Sequence, residues 1–386
     1  MSVVFKEQIQ RPRLVLPKSL LYMKYRWNFR ISPFLTLDLY SENLAKIEND
    51  YPDVATPRVR PALSEQLKIE EGVRVIPCMV SSPRRNGYVQ RLEGYNLESL
   101  SIPNGVEVIS DGAFYNSKLL SSVTIPESVK YIGFSAFEGC SLDSIALPNS
   151  LEIIADDSFC GSKIKGIVIP DNVSSIGRCA FAGCKELKSV EMPDNVSSIG
   201  KGAFSYCSSL ESITIPRKCN TLNPETFYNC TSLREITIPS TVVKFAAESP
   251  GYDYQGTFEN CSNLERIIIE DGDRLLTNSQ GSKLFEGVNV KKLYWGREIS
   301  DASFRDCKTL VDLTFGPKVR TIPSSCFQGC DGLTEVFIPD GVTDTGTSTF
   351  NNCANLKNLY VGNGVQMLCS IVGSCGKFEN LYIGNG

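Results

Sequence analysis

The sequence predicts a solenoid, a stack of short coils in place of a single globular core, and two observations in register carry that expectation. An aliphatic residue followed by proline recurs at Ile102-Pro103, Ile125-Pro126, Leu147-Pro148, Ile169-Pro170, Met192-Pro193, Ile215-Pro216, Ile238-Pro239 and Ile338-Pro339. A phenylalanine tracks it, at Phe114, Phe137, Phe159, Phe181, Phe204, Phe227, Phe258, Phe285, Phe304, Phe327 and Phe350. A unit repeating every roughly 20–30 residues cannot bury its apolar face alone, so neighbouring units stack. Degenerate copies at Ile69-Glu70, Ile269-Glu270, Trp295-Gly296, Phe315-Gly316, Val361-Gly362 and Ile383-Gly384 bring the array to about 14 repeats over residues 66–386.

The elements follow in chain order. Residues 1–65 do not keep the period and are punctuated by Pro12, Pro17, Pro33, Pro52, Pro57 and Pro61, which suits an amino-terminal cap over the open first coil or a small separate module. Within each repeat, Leu-x-x-Ile-x-Ile, as at Leu210 to Ile215, reads as a short strand with its aliphatic residues facing inward. Proline has no N–H to give a ladder, so it ends that strand and begins a turn. The Val-x-x-Ile-Gly stretch, as at Val129 to Gly133 or Val196 to Gly200, returns the chain along the coil, and the Ala-Phe step then drops a bulky ring into the core. One parallel sheet on one face and short irregular segments on the other are expected. Three longer repeats, with extra residues at Pro77 to Glu93, Ala247 to Gly256 and Gly272 to Lys283, are candidates for binding loops or for neutral length drift. The last residues, Leu381 to Gly386, read as a strand with no cap after it.

This pattern, Ile-Pro-x-x-Val-x-x-Ile-Gly-x-x-Ala-Phe-x-x-Cys, resembles the BspA-like, bacterial-surface-antigen type of leucine-rich repeat over residues 66–386. The resemblance implies a leucine-rich-repeat solenoid: a right-handed α/β superhelix with a parallel β-sheet on one face and mostly irregular or short-strand segments on the other. It also implies cell-surface or secreted placement, adhesion, and a protein partner on a host or neighbouring cell.

Composition excludes several functions. A net charge of −4 offers no basic footprint for nucleic acid. No run of 18 apolar residues spans a membrane. Met1 to Gln8 carries charges where a signal peptide needs an apolar stretch. The chain has no histidine, which removes the usual general base and the commonest metal ligand, and no Gly-rich phosphate loop is present. No catalytic residue, metal site or cofactor is expected, and an enzyme is disfavoured.

Fifteen cysteines raise the question of a disulfide framework. Cys140, Cys184, Cys207, Cys230, Cys261, Cys307, Cys330 and Cys353 each sit three residues after the core phenylalanine, with Cys375 following on. One inward position per coil makes a ladder of small buried groups, a role free cysteine fills. Pairing among Cys78, Cys160, Cys179, Cys219, Cys326 and Cys369 stays open. Four Asn-x-Ser/Thr sequons, at Asn172, Asn195, Asn229 and Asn260, arise from the repeat consensus itself.

On each strand the residue between the inward aliphatics points outward. In order these are Ser101, Thr124, Ala146, Val168, Glu191, Thr214, Thr237, Ile268, Tyr294, Thr314, Phe337, Tyr360 and Tyr382. The neighbouring outward position runs from Ser99 and Ser122 to Glu235, Arg266, Lys292, Asp312, Glu335, Asn358 and Asn380. The face changes from small and polar to large and aromatic, the composition of an interface core. The candidate partner-binding residues are therefore Arg266, Ile268, Lys292, Tyr294, Phe337, Tyr360 and Tyr382 on the sheet, with Tyr252 and Tyr254 on the second insert. Aromatic residues also stack along a ladder with no partner, so ladder packing is the competing reading. The expected function is a non-catalytic protein-interaction solenoid, adhesin-like or surface-associated; an intracellular scaffold or a structural component of a larger assembly is the alternative.

Overall fold

The computed structural model describes residues 69, 72–76, 97–247, 255–300, 304–366 and 370–384. The 1–65 region, the first insert, Cys78, Cys369, Tyr252 and Tyr254 lie outside the described residues. The chain forms two compact units, Met1–Ile164 and Lys165–Gly386.

In the first unit the coils lay down short strands on two faces. Ser99–Ser101 pairs in parallel with Ser122–Thr124, placing Ser99 opposite Ser122 and Leu100 opposite Val123. Leu100 and Val123 are buried while the residues on either side are exposed, the alternation a one-sided sheet demands. The next coil keeps this alternation at Ser144 to Leu147 without forming a strand. On the other side, Val75–Ile76, Val108–Ile109, Tyr131–Ile132 and Ile153–Ile154 form a second parallel ladder. The return stretch, expected as irregular or short-strand segments, contributes a narrow sheet of its own. Between the ladders, Phe114 stacks on Phe137 at 5.3 Å and Phe137 on Phe159 at 5.6 Å.

The second unit repeats the plan, and its front strands lengthen from Glu235–Ile238 onward. Gly166–Val168 and Ser189–Glu191 have three residues, whereas Glu235–Ile238, Arg266–Ile269, Lys292–Trp295, Asp312–Phe315, Glu335–Ile338, Asn358–Val361 and Asn380–Ile383 have four. The phenylalanine stack continues inside it, for example Phe181 on Phe204 at 5.5 Å and Phe327 on Phe350 at 5.5 Å. In the last strand Leu381 and Ile383 are exposed, although they are register partners of buried Leu359 and Val361.

The α/β part of the expected fold is not supported. Among the described residues the structure has no α-helix, only one 3-10 turn at Gly281–Phe285. The reason is local. Around Phe114, Phe137, Phe159, Phe181, Phe204, Phe227, Phe327 and Phe350 the second residue before and the second after take positive φ, as with Glu225 and Asn229 (both φ 60) around Phe227. A left-handed residue every fourth position reverses the peptide direction, which an α-helix cannot accommodate. The N–H groups of Phe227 and Asn229 therefore bond to Thr257 and Glu259 of the next coil, both at 2.9 Å, while those of Tyr228 and Cys230 bond within the turn. Each left-handed non-glycine residue costs about 1–2 kcal/mol, which these inter-coil hydrogen bonds offset.

The cysteine ladder is more than small hydrophobes. Cys207 Sγ donates to the Phe181 carbonyl at 3.2 Å, Cys230 to Phe204 at 3.1 Å, Cys261 to Phe227 at 3.1 Å, Cys330 to Phe304 at 3.1 Å and Cys353 to Phe327 at 3.2 Å. Ser117 and Ser162 hold the same place in their coils and are also buried. Cys307 departs from the ladder, reaching Val290 O at 3.6 Å. Cys160, Cys179, Cys219, Cys326 and the ladder cysteines are thiols, with no disulfide among them. Burial pushes the thiols of Cys140, Cys261 and Cys353 up to about 12.

The third insert is not a free loop. Thr277–Asn278 pairs with Lys244–Phe245 in the narrow ladder, and Leu276 is fully buried against the coil that follows, bridging to Ile299. Among the described residues no helix is long and apolar enough to cross a membrane.

Candidate functional site

The front sheet of the second unit places the outward side chains in columns. Parallel pairing sets Thr237, Ile268, Tyr294 and Thr314 in one row and Phe337, Tyr360 and Tyr382 in another. The strand Asp312–Phe315 lies beside Glu335–Ile338, so the rows follow one another. Phe337 and Tyr382 are 54% and 46% exposed, against at most 2% for Ile338 and Trp295, which face inward on strands of the same sheet face. The outward assignment therefore matches the burial at Phe337, whereas all four residues of Asn380–Ile383 are exposed and burial there does not single out Tyr382.

The rings do not form one continuous strip. Phe337 stacks on Tyr360 at 4.3 Å with 4° between planes, and Tyr360 on Tyr382 at 4.6 Å with 5°. Each such pair contributes about 0.5–1.5 kcal/mol beyond its buried area. Ladder packing is thus real, and it coexists with exposure of the ring edges. Tyr294 stands apart. Its hydroxyl donates to the Asp271 carboxylate, 3.0 Å from both oxygens, and its ring is half-buried. Partial burial, then the nearby Asp271 charge, raise its phenol above the usual range. Gly316 makes this arrangement possible, because a Cβ there would stand 2.9 Å from the Tyr294 hydroxyl and 2.8 Å from Gly296 Cα. Ile268, half-buried, flanks Tyr294 on the preceding strand.

Charged residues border both rows. Arg266 pairs with Glu235 at 3.1 Å and Lys291 with Glu265 at 2.6 Å, all solvent-exposed. Such pairs contribute little to stability, about 0–1 kcal/mol. Lys292 stands opposite Asp312 in the register. Asn380 Nδ2 donates to Asn358 Oδ1 at 2.9 Å beside the tyrosines. Val311, 56% exposed, extends the apolar surface one residue before its strand. Sequence reading passed over it, yet aligning the repeats shows a valine where other coils carry Ser121, Lys188, Glu211, Arg234, Glu265 or Lys291.

The second insert is held at its base by a buried polar network. Gln280 Nε2 donates to Ala246 O at 2.7 Å and to Thr257 Oγ1 at 2.8 Å, while its Oε1 accepts from Thr257 N at 2.8 Å. On the far side Gln255 N donates to Glu225 Oε1 at 3.1 Å and Gly256 N to Glu259 Oε2 at 2.7 Å. Gln280 and Glu259 are buried, so the bonds of Gln280 to Thr257 and of Gly256 to Glu259 form away from water, where they fix geometry most firmly.

These features were compared with known proteins. A family model described as a BspA-type leucine-rich repeat region, in six copies, matches residues 91–165, 152–272 and 278–385. The chain belongs to the BspA-type leucine-rich repeat family. Among solved structures, a leucine-rich repeat protein from Bacteroides ovatus is 24% identical, with 80% of this chain and 91% of that chain covered and a TM-score of 0.45. One from Eubacterium ventriosum is 20% identical, covers 74% of this chain and 83% of its own, and has a TM-score of 0.39. The pneumococcal vaccine antigen PcpA is 16% identical, with 81% and 74% covered and a TM-score of 0.35. Comparison with functionally curated proteins gives no match. The repeat pattern accounts for the inward letters, Leu, Ile, Phe and Cys, and the aromatic outward row lies in the second unit.

Proposed function

We propose that this BspA-type chain is a non-catalytic protein-interaction solenoid, adhesin-like and surface-associated, whose front sheet in the second unit and second insert engage a protein on a host or neighbouring cell. Members of the family are typically protein-binding and surface-associated. The observation that carries the reading is the stack Phe337–Tyr360–Tyr382 on the front face, with Phe337 and Tyr382 exposed. Stacked rings hide their faces from solvent and offer edges and hydroxyls, which favours the mixed polar and apolar surface of a protein over sugar rings seeking an open aromatic face. Tyr and Arg together are the residues that dominate binding energy in protein interfaces.

The test is a Tyr294→Ala, Tyr360→Ala double variant, assayed for binding to purified extracellular-matrix proteins by biolayer interferometry. Binding is expected to fall by about tenfold or more, the loss of one to two anchor contacts. Tyr360 is stacked on both sides, so stability is expected to drop by about 1–3 kcal/mol, from two lost ring contacts. Unchanged binding with that same loss of stability would assign the rings to ladder packing alone.

A further inference from the structure

The charge on the binding face is divided along the stack. Over the strands Glu235–Ile238, Arg266–Ile269 and Lys292–Trp295, with the exposed residue preceding each, the face carries Arg234, Arg266, Lys291 and Lys292 against Glu235 and Glu265. Both of those carboxylates are already held in ion pairs. From the strand Asp312–Phe315 onward the same positions carry Asp312, Glu335 and Glu379, with Lys357 the sole cation among them. Among the described residues neither Asp312 nor Glu335 makes an ion pair; Asp312 accepts only a long 3.5 Å bond from Thr314 Oγ1.

These two carboxylates flank an aromatic ring. Glu335 lies two residues before Phe337 on one strand and Asp312 two before Thr314 on the next, so all four side chains share the outward face. The two strands are neighbours in separate ladders; with paired strands about 4.8 Å apart and alternate residues about 7 Å apart, a gap of this order is spanned by one extended cationic side chain. Phe337 uses one ring face against Tyr360. The neighbouring strand Asp312–Phe315 carries the small residue Thr314 at its outward position, and Phe337 is 54% exposed.

We infer that this patch receives a lysine or arginine side chain of the protein partner, its cation over the uncovered side of Phe337 and within reach of Asp312 and Glu335. The inference rests on the protein-binding reading of the face and adds the chemistry of the occupant. An aromatic ring attracts a cation through its quadrupole, and two unpaired carboxylates at the ring's border add to the same sign of potential. An acidic segment would meet repulsion at both carboxylates, and a purely apolar one would strip them of water without replacing it.

The experiment uses the full chain and three fluorescein-labelled nine-residue peptides, alternating serine with arginine, with citrulline or with glutamate, titrated by fluorescence anisotropy at 150 mM NaCl. The arginine peptide is expected to bind about tenfold tighter than the other two. Asp312→Asn with Glu335→Gln, which keeps shape and removes charge, is expected to erase that preference, and Phe337→Leu to weaken arginine binding by at least about threefold. Glu191→Gln with Glu211→Gln, exposed carboxylates elsewhere on the unit, serves as the charge-matched control and is expected to change nothing beyond about twofold. Equal losses in patch and control variants would reduce the effect to general attraction by an acidic chain and overturn the inference. If the glutamate or citrulline peptide binds as well as arginine and needs Phe337 and Tyr360, the basic occupant is rejected while the binding face stands. If no peptide binds in a manner dependent on these rings, the inference fails together with its footing. Urea midpoints of each variant separate a lost site from a lost fold.

Discussion

Replacing Cys230 isolates the contribution of the thiol ladder. Cys230 is fully buried and donates to the Phe204 carbonyl at 3.1 Å. That carbonyl also accepts the Cys207 backbone N–H at 3.3 Å, so losing the thiol does not orphan it. The hydrogen-bond part of Cys230→Ala therefore belongs near the low end, about 0.5–1 kcal/mol. Removing a sulfur leaves roughly 20 Å³ empty, and at about 24 cal/mol per Å³ the cavity adds on the order of 0.5 kcal/mol. Loss of the buried sulfur's transfer energy brings the total to about 1.5–2.5 kcal/mol. Cys230→Ser keeps a donor in the place that Ser117 occupies in another coil, so it is expected to cost about half as much. The assay is urea denaturation followed by circular dichroism in reducing buffer, with m-values compared to verify that the same structure unfolds. A Ser variant as unstable as Ala, or an Ala variant within about 0.3 kcal/mol of the parent, would refute the hydrogen-bonded ladder.

Three further outcomes are expected. The thiols of Cys140, Cys261 and Cys353 sit at about 12, above their unfolded value, so the folded chain holds protons that the unfolded chain releases. Stability is then full below the ordinary thiol range and falls as pH rises from about 9 toward 12, by on the order of 1 kcal/mol per thiol per pH unit, which urea midpoints at stepped alkaline pH would detect. Gly296→Ala places a Cβ 2.5 Å from the Asp271 backbone nitrogen, and an estimated loss of about 2–4 kcal/mol contrasts with Gly376→Ala, where no atom lies within 4 Å and the change should stay within about 0.5 kcal/mol. Arg297→Met removes the guanidinium that bonds Ser240 O at 2.7 Å and Pro239 O at 2.8 Å inside the core, and calorimetry should show a drop of about 2–4 kcal/mol from the two abandoned carbonyls.

Much of this architecture is legible in sequence because stacking imposes one residue type at one position. Phe227 and Cys230 recur in register since a ring and a thiol must fill the same gap in every coil, and that constraint writes itself into the chain. The outward row was equally readable, because a strand's period of two leaves only one face for Phe337 and Tyr382. The absence of α-helix was not. The left-handed turns at Glu225 and Asn229 use ordinary residues, so no glycine signature announces them. Nor did composition tell which aromatic residues touch. Tyr294 looks like Tyr360 in the repeat pattern, yet one hydrogen-bonds Asp271 and the other stacks on two rings.

By itself, then, the sequence determined the repeat, the inward letters and the side of the sheet that meets solvent, because each depends only on period and polarity. The tertiary structure alone decided the second ladder, the thiol bonds to phenylalanine carbonyls, and the splitting of the aromatic row at Thr314. Those depend on which atoms of successive coils come within hydrogen-bonding or stacking distance. That distance is set by how coils settle on one another, which no single repeat encodes.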